Sequence, residues 1–252
     1  MTSAAFADSA PIDPTAIDAV VFDMGGVFII PNPVAVCAAV DAAGITLDMS
    51  SKQAHDAHYT GVRAITDLLE SEHVDETDFG VWRHYDLAYF GSMGLSGSDL
   101  DTAVVARDEL RRRDEVTDMW THVLAHNIAG FAAISLVRPV AIVTNNIGTA
   151  VQQCIDHGIC QLGDGPLPSA AAIVDSTIVG ISKPDPAIFE PALAALGTDR
   201  SRTLYVGDTV HADVHGARAA GMPVVQLDPL DLHRDHDHWR LPDVPALVEI
   251  LD

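Results

Sequence analysis

Short continuous apolar runs recur along the chain, each closed by small or polar residues: AVVFD (19–23), VAIVT (140–144), AAIVDS (171–176), TLYVGD (203–208) and PVVQLD (223–228). Such runs of β-forming residues bounded by turn residues read as buried strands. Between them, 149–158, 186–196 and 211–220 carry helix-like patterning. The second is opened by Pro184, Asp185 and Pro186, residues that suit a helix N-terminus. Continuous apolar strands alternating with helices predict an α/β fold, a doubly wound parallel sheet covered on both faces.

The stretch from about 32 to 136 breaks this rhythm. It holds helical periodicity without a convincing strand, in AVCAAVDAAG (35–44), QAHDAHYTGVRAITDLLE (53–70), ETDFGVWRHYDLAYFGSMG (76–94) and SDLDTAVVARDELRRRD (98–114). The expected organisation is therefore a core made of 1–31 and 137–252, with an all-α domain inserted at 32–136. The tail HRDHDHWR (233–240) reads as a polar surface loop before a last short helix, PALVEILD. Its histidines are potential metal ligands, but alternating charge favours a solvated loop.

The formal charge of −22 at pH 7 disfavours nucleic-acid backbone or an anionic membrane as a partner. A small anionic substrate is compatible only with a site that supplies local positive charge. With 252 residues and 48% hydrophobic content, the chain suffices for one sizeable domain plus an accessory. Cys37, Cys154 and Cys160 form no CxxC pair, which fits a reducing compartment and buried thiols. No apolar stretch reaches the length of about 18 residues that a membrane span needs. The start MTSAAFADSAPIDPTAID lacks the basic and apolar regions of a signal peptide, so a cytoplasmic location is expected.

Ligands of open parallel sheets bind beyond the carboxyl ends of the strands. Asp23, Thr144, Asp208 and Asp213 fall there, and Lys183 follows the third strand. Each local motif alone has a plain structural reading: DMGG as a tight turn, TNN as a helix cap, SKPDP as a helix start, GDTVHAD as a glycine turn with solvated acids. Converging carboxylates repel one another, however, so the acidic set argues for a bound cation.

Taken in order, VVFDMGG, VTNN, SKPDPAIF and VGDTVHADVHGARAAGM resemble the motifs of the haloacid dehalogenase-like hydrolase superfamily, most of whose members are Mg²⁺-dependent phosphatases. The resemblance covers about 20–30 and 137–228. It implies Asp23 as a nucleophile that takes the phosphoryl group of a small phosphorylated substrate, with Lys183 pairing with it. It further implies Mg²⁺ held by Asp23, Asp208, Asp213 and the backbone carbonyl of Gly25. Thr144 and the backbone N–H groups of Asn145, Met24 and Gly25 would cradle the phosphate. The insert resembles the helical cap that such proteins close over the site.

One departure stands out. Typical phosphatases of the family carry a second aspartate two residues after the nucleophile, and this chain has Gly25. That residue protonates the leaving oxygen, and positioned acid–base groups contribute roughly 10² to 10⁴-fold in rate. The expected function is a phosphatase favouring good leaving groups, or one that borrows a group from the insert, such as His55, His58, Tyr59, His84 or Tyr85. Two other readings compete: a non-catalytic phosphate-ligand binding protein, and a metal-free 2-haloacid dehalogenase, against which the retained Asp208 and Asp213 speak.

Overall fold

The computed structural model describes residues 12–72, 79–113 and 119–252. The chain forms two compact units, one of residues up to Phe28 with Leu124–Asp252, the other of Ile29–Val123. The N-terminal residues 1–11, the predicted helix start at 76–78 and the predicted helix end at 114 lie outside the described residues.

The first unit carries strand β1 (Ala19–Phe22) and resumes after the second unit with helix α5 (Ala125–Val137). Helix α5 groups with the first unit, where it packs with the C-terminal helix. Its Asn127 also donates to the carbonyl of Val27 at 2.7 Å and accepts from Val244 N at 3.0 Å, anchoring the helix there. Then come β4 (Val140–Thr144), α6 (Ala150–Asp156), the two-residue strands β5 (Gln161–Leu162) and β6 (Ser169–Ala170), β7 (Ile173–Asp175) and α7 (Ser176–Val179). A 3₁₀ turn at Pro186–Phe189 leads into α8 (Glu190–Leu196), followed by β8 (Thr203–Gly207). A π-helical turn at Val210–His215 runs into α9 (Gly216–Ala219), and the chain ends with β9 (Val224–Leu227), β10 (Trp239–Leu241) and α10 (Val244–Leu251).

The main sheet has the order β10-β9-β8-β1-β4-β7 with all pairs parallel. This is the doubly wound α/β architecture that the strand pattern predicts. Successive side chains alternate between its faces. Val21, Ala141, Val143, Val174, Tyr205 and Val224 meet Ile188, Phe189, Leu193 and Val214 in one core layer. Phe22, on the opposite face, packs with Phe28 and Phe131 at ring-centroid distances of 5.6 and 5.2 Å.

The polar tail is a correction to the sequence reading: part of 233–240 becomes β10, paired with β9, and His233 and His238 are buried. Gln226 explains how polar residues enter the interior, since its Oε1 accepts from His238 Nε2 at 2.7 Å. Asp228 in turn accepts from the backbone N of Leu232 and His233 at 2.9 and 2.8 Å. Buried polar groups are tolerated when paired in this way.

The second unit contains β2 (Ile29–Ile30), α1 (Pro33–Ala42), α2 (Ser51–Glu72), α3 (Phe79–Gly91), α4 (Gly97–Arg113) and β3 (His122–Val123). Strands β2 and β3 form a short antiparallel ribbon at its two ends, where the sequence pattern was too brief to predict a strand. Its helices enclose Val36, Ala54, Val62, Tyr85, Tyr89 and Phe90. Arg107 is buried among them, 4.1 Å over the Tyr89 ring and 3.2 Å from Asp86. Among the described residues, no helix is long and apolar enough to cross a membrane.

Candidate active site

The switch point of this sheet lies between β1 and β8, where strand order reverses; ligands of open parallel sheets bind at the carboxyl ends beside such a point. Asp23 follows β1 directly, its N–H donating to Val206 O at 2.8 Å and so continuing the ladder. Asp208 follows β8, and Asp213 sits in the π-helical turn, where Val214 N reaches Thr209 O at 3.2 Å. All three carboxylates are buried, and one oxygen of each lies within 4.8 Å of the others.

Lys183 enters the same space. Its ammonium lies 2.6 Å from Asp213 Oδ1 and 3.0 Å from Asp23 Oδ1. Burial would lower the pKa of this lysine, but the Asp213 and Asp23 carboxylates outweigh it and hold the group above its ordinary range. Asp213 shows the mirror effect: burial pushes it up, yet the Lys183 ammonium and the donors of Thr209 keep it below the usual carboxylate value. Asp23 is pushed up to about 7, chiefly by burial, with Asp213 and Asp208 adding to the shift and Lys183 opposing it. Asp208 is also raised well above its ordinary value, by burial and by the charge of Asp213.

The other predicted residues divide. Thr144 is buried at the end of β4, opposite Asp175. Asn145 is exposed, and its side chain clamps the Lys183 backbone, accepting from its N–H at 2.8 Å and donating to its carbonyl at 3.0 Å. Asn146 accepts from Ile147 N at 2.7 Å and from the Thr149 hydroxyl at 3.1 Å, shaping the turn into α6. Gly25 is half-buried in the turn after Asp23.

Of the insert residues that could replace a missing acid, His58 and Tyr85 are built into the core of the second unit. They bond to one another at 2.8 Å, and burial with the nearby Arg107 pushes the His58 pKa down to about 3. A histidine held neutral in this way is too weak an acid to protonate a leaving oxygen at neutral pH. His84 is exposed, with Nδ1 2.9 Å from the Gly80 carbonyl oxygen.

Several contributors were not singled out in the sequence. Gly26, at φ +67°, leaves room for Asp208, since a Cβ there would stand 2.0 Å from Asp208 Oδ2. Gly207 does the same for Asp213, whose Cγ would be 2.3 Å from an added Cβ. Both glycines stand in the motifs DMGG and VGD, but the acids they accommodate lie elsewhere in the chain, so local sequence does not show the pairing. Gln226 donates to the Asp208 carbonyl at 2.8 Å, and Tyr205 bonds to both Lys183 and Asp213 at 2.9 Å. A tyrosine within an apolar strand gives no sequence signal of this role.

The chain is thus an α/β protein whose doubly wound parallel sheet carries buried carboxylates and a lysine at its switch point. The sequence model of the family described as haloacid dehalogenase-like hydrolase matches residues 17–221, and the chain belongs to that family. It is 30% identical over 86 residues to the glyceraldehyde 3-phosphate phosphatase of Pyrococcus furiosus, covering 32% of this chain and 36% of that protein. It is 40% identical over 67 residues to the phosphoserine phosphatase of Thermus thermophilus, covering 27% of each. The chain thus matches about a third or less of the length of these curated relatives. The fold resembles that of the putative HAD-hydrolase YfnB from Bacillus subtilis, with a TM-score of 0.58 at 17% identity over 94% of this chain and 99% of that one.

Proposed function

We propose that this hydrolase is a Mg²⁺-dependent phosphatase of a small phosphorylated metabolite, acting through a phosphoryl group carried on Asp23. The observation that carries this reading is the buried convergence of Asp23, Asp208 and Asp213 on Lys183. The phosphatase activities named for the partial relatives support it.

The donor set fits a hard divalent cation. Three carboxylates face one ammonium, leaving two negative charges uncompensated; burial raises the pKa of Asp23 and Asp208, and repulsion from the neighbouring carboxylates adds to it. All-oxygen ligands suit Mg²⁺. Asp23, Asp208 and the carbonyl of Gly25 would hold it. Asp213 would contribute charge from behind, because its two oxygens already accept from Lys183, Tyr205, Asp208 N, Thr209 N and the Thr209 hydroxyl. The bound ion would neutralise the repulsion between carboxylate and incoming phosphate.

In the proposed reaction an Asp23 oxygen forms a bond to phosphorus as the bond from phosphorus to the leaving oxygen breaks. Water then attacks the acyl phosphate, regenerating the carboxylate and releasing inorganic phosphate. Lys183 offsets the charge on the transferring oxygens, and Thr144 with the backbone N–H groups of Asn145, Met24 and Gly25 would bind them. Retention of Asp208 and Asp213 favours this chemistry over halide displacement, which needs no cation.

Gly25 supplies no proton to the leaving oxygen, so the rate is expected to depend steeply on leaving-group acidity. Aryl, acyl and sugar 1-phosphates should turn over faster than alkyl phosphates. Gly25→Asp should flatten that dependence and raise turnover of alkyl phosphates by roughly 10² to 10⁴-fold. Steady-state rates across a leaving-group series check this; equal dependence in both proteins would rule out a missing acid as the cause.

A further inference from the structure

A lysine ammonium has three N–H groups to place. In Lys183, two have well-formed acceptors: Asp213 Oδ1 at 2.6 Å and the Tyr205 hydroxyl oxygen at 2.9 Å. The approach to Asp23 is of another kind, an ion pair at 3.0 Å in which Oδ1 receives no well-directed hydrogen bond.

Tyr205 is itself immobilised. It is fully buried on β8, and its ring packs edge-on against Phe189 at 5.0 Å. Its hydroxyl donates its one proton to Asp213 Oδ1 at 2.9 Å, and the same oxygen lies 3.2 Å from the Val143 carbonyl oxygen on β4, behind the acidic centre. A phenylalanine would fill the same space against Phe189, so packing alone gives no account of the hydroxyl.

We propose that Tyr205 is a positioning residue of this site: its hydroxyl, together with Asp213, tethers the Lys183 ammonium at two points, holding it 3.0 Å from Asp23 with the third N–H left for the phosphoryl group that Asp23 would carry. Without the hydroxyl the ammonium keeps its charge and its pairing with Asp213 but loses one fixed direction. Misplacement of such a group lowers the rate of the chemical step more than it weakens substrate binding.

The kinetic part of this inference rests on the phosphatase reading, and the spectroscopic part does not. Tyr205→Phe should lower kcat by roughly 10 to 10²-fold. KM should stay within about twofold, the pattern of an interaction made chiefly in the transition state. In ¹⁵N-detected spectra recorded without metal or substrate, wild-type Lys183 should give a slowly exchanging ammonium resonance that Tyr205→Phe loses. Phe189→Leu, which loosens the same packing without touching the hydroxyl, should lower the melting temperature yet keep both kcat and the resonance. Tyr205→Phe with wild-type kcat and an unaltered resonance overturns the proposal. If that variant does not fold, a nuclear Overhauser contact between the Lys183 ammonium and the Tyr205 hydroxyl proton in the wild type decides, its absence being fatal. A wild type that releases no phosphate would refute the phosphatase reading alone, and the resonance would still test the tether.

Discussion

Asp23→Asn is expected to abolish phosphate release, lowering kcat by on the order of 10⁴ to 10⁶-fold, as removal of a nucleophile does in covalent catalysis. The protein should remain folded. The asparagine keeps the shape of a side chain that is almost wholly buried, and it removes a charge that burial and two neighbouring carboxylates oppose. In chelator the variant should therefore be at least as stable as the wild type at neutral pH. Phosphate release and denaturant unfolding, measured on the same preparation, separate the two effects. Residual turnover above about 1% of wild type would remove Asp23 from the nucleophile's role.

Lys183→Met carries the largest expected cost in stability. It leaves three buried carboxylates with no cation facing them, and breaking a buried ion pair from one side costs roughly 3–5 kcal/mol. The wild type in chelator is expected to share part of the problem. The Asp23 carboxyl, raised from 3.8 to about 7 in the folded protein, binds its proton more tightly there than in the unfolded chain. Stability contributed by that proton is present at low pH and lost as pH rises from about 4 through 7. Lys183→Met should steepen that loss, because the charge opposing the upward shift is gone. Urea unfolding of both proteins in chelator at several pH values checks this. A cost under about 1 kcal/mol would show that Lys183 does not compensate these acids.

The strands of the first unit were legible because parallel strands buried on both faces read as unbroken apolar runs; β4 spans the predicted 140–144 without change. β10 was not legible, since its flanking histidines look solvated until Gln226 is seen to pair with His238 and Asp228 with the His233 backbone. The predicted helix at 211–220 became a π-helical turn followed by α9, and that wide turn holds Asp213 against Lys183. Periodicity cannot distinguish the two, because the difference is one residue in the hydrogen-bond ladder. Within the candidate site, the acids and Lys183 were visible as polar residues following strands. Tyr205 was invisible because an aromatic residue in a buried strand satisfies the hydrophobic pattern whatever its hydroxyl does. The side chain of Asn145 bonds to the Lys183 backbone, a long-range pairing that local patterning does not encode.

The most direct test is inorganic phosphate release by the wild-type protein from a panel of aryl, sugar and acyl phosphates, with Mg²⁺ and with chelator. The account predicts release that requires Mg²⁺, disappears in Asp23→Asn and is fastest for the most acidic leaving groups. Folded protein that releases no phosphate from any member of the panel, or releases it equally well in chelator, would contradict it.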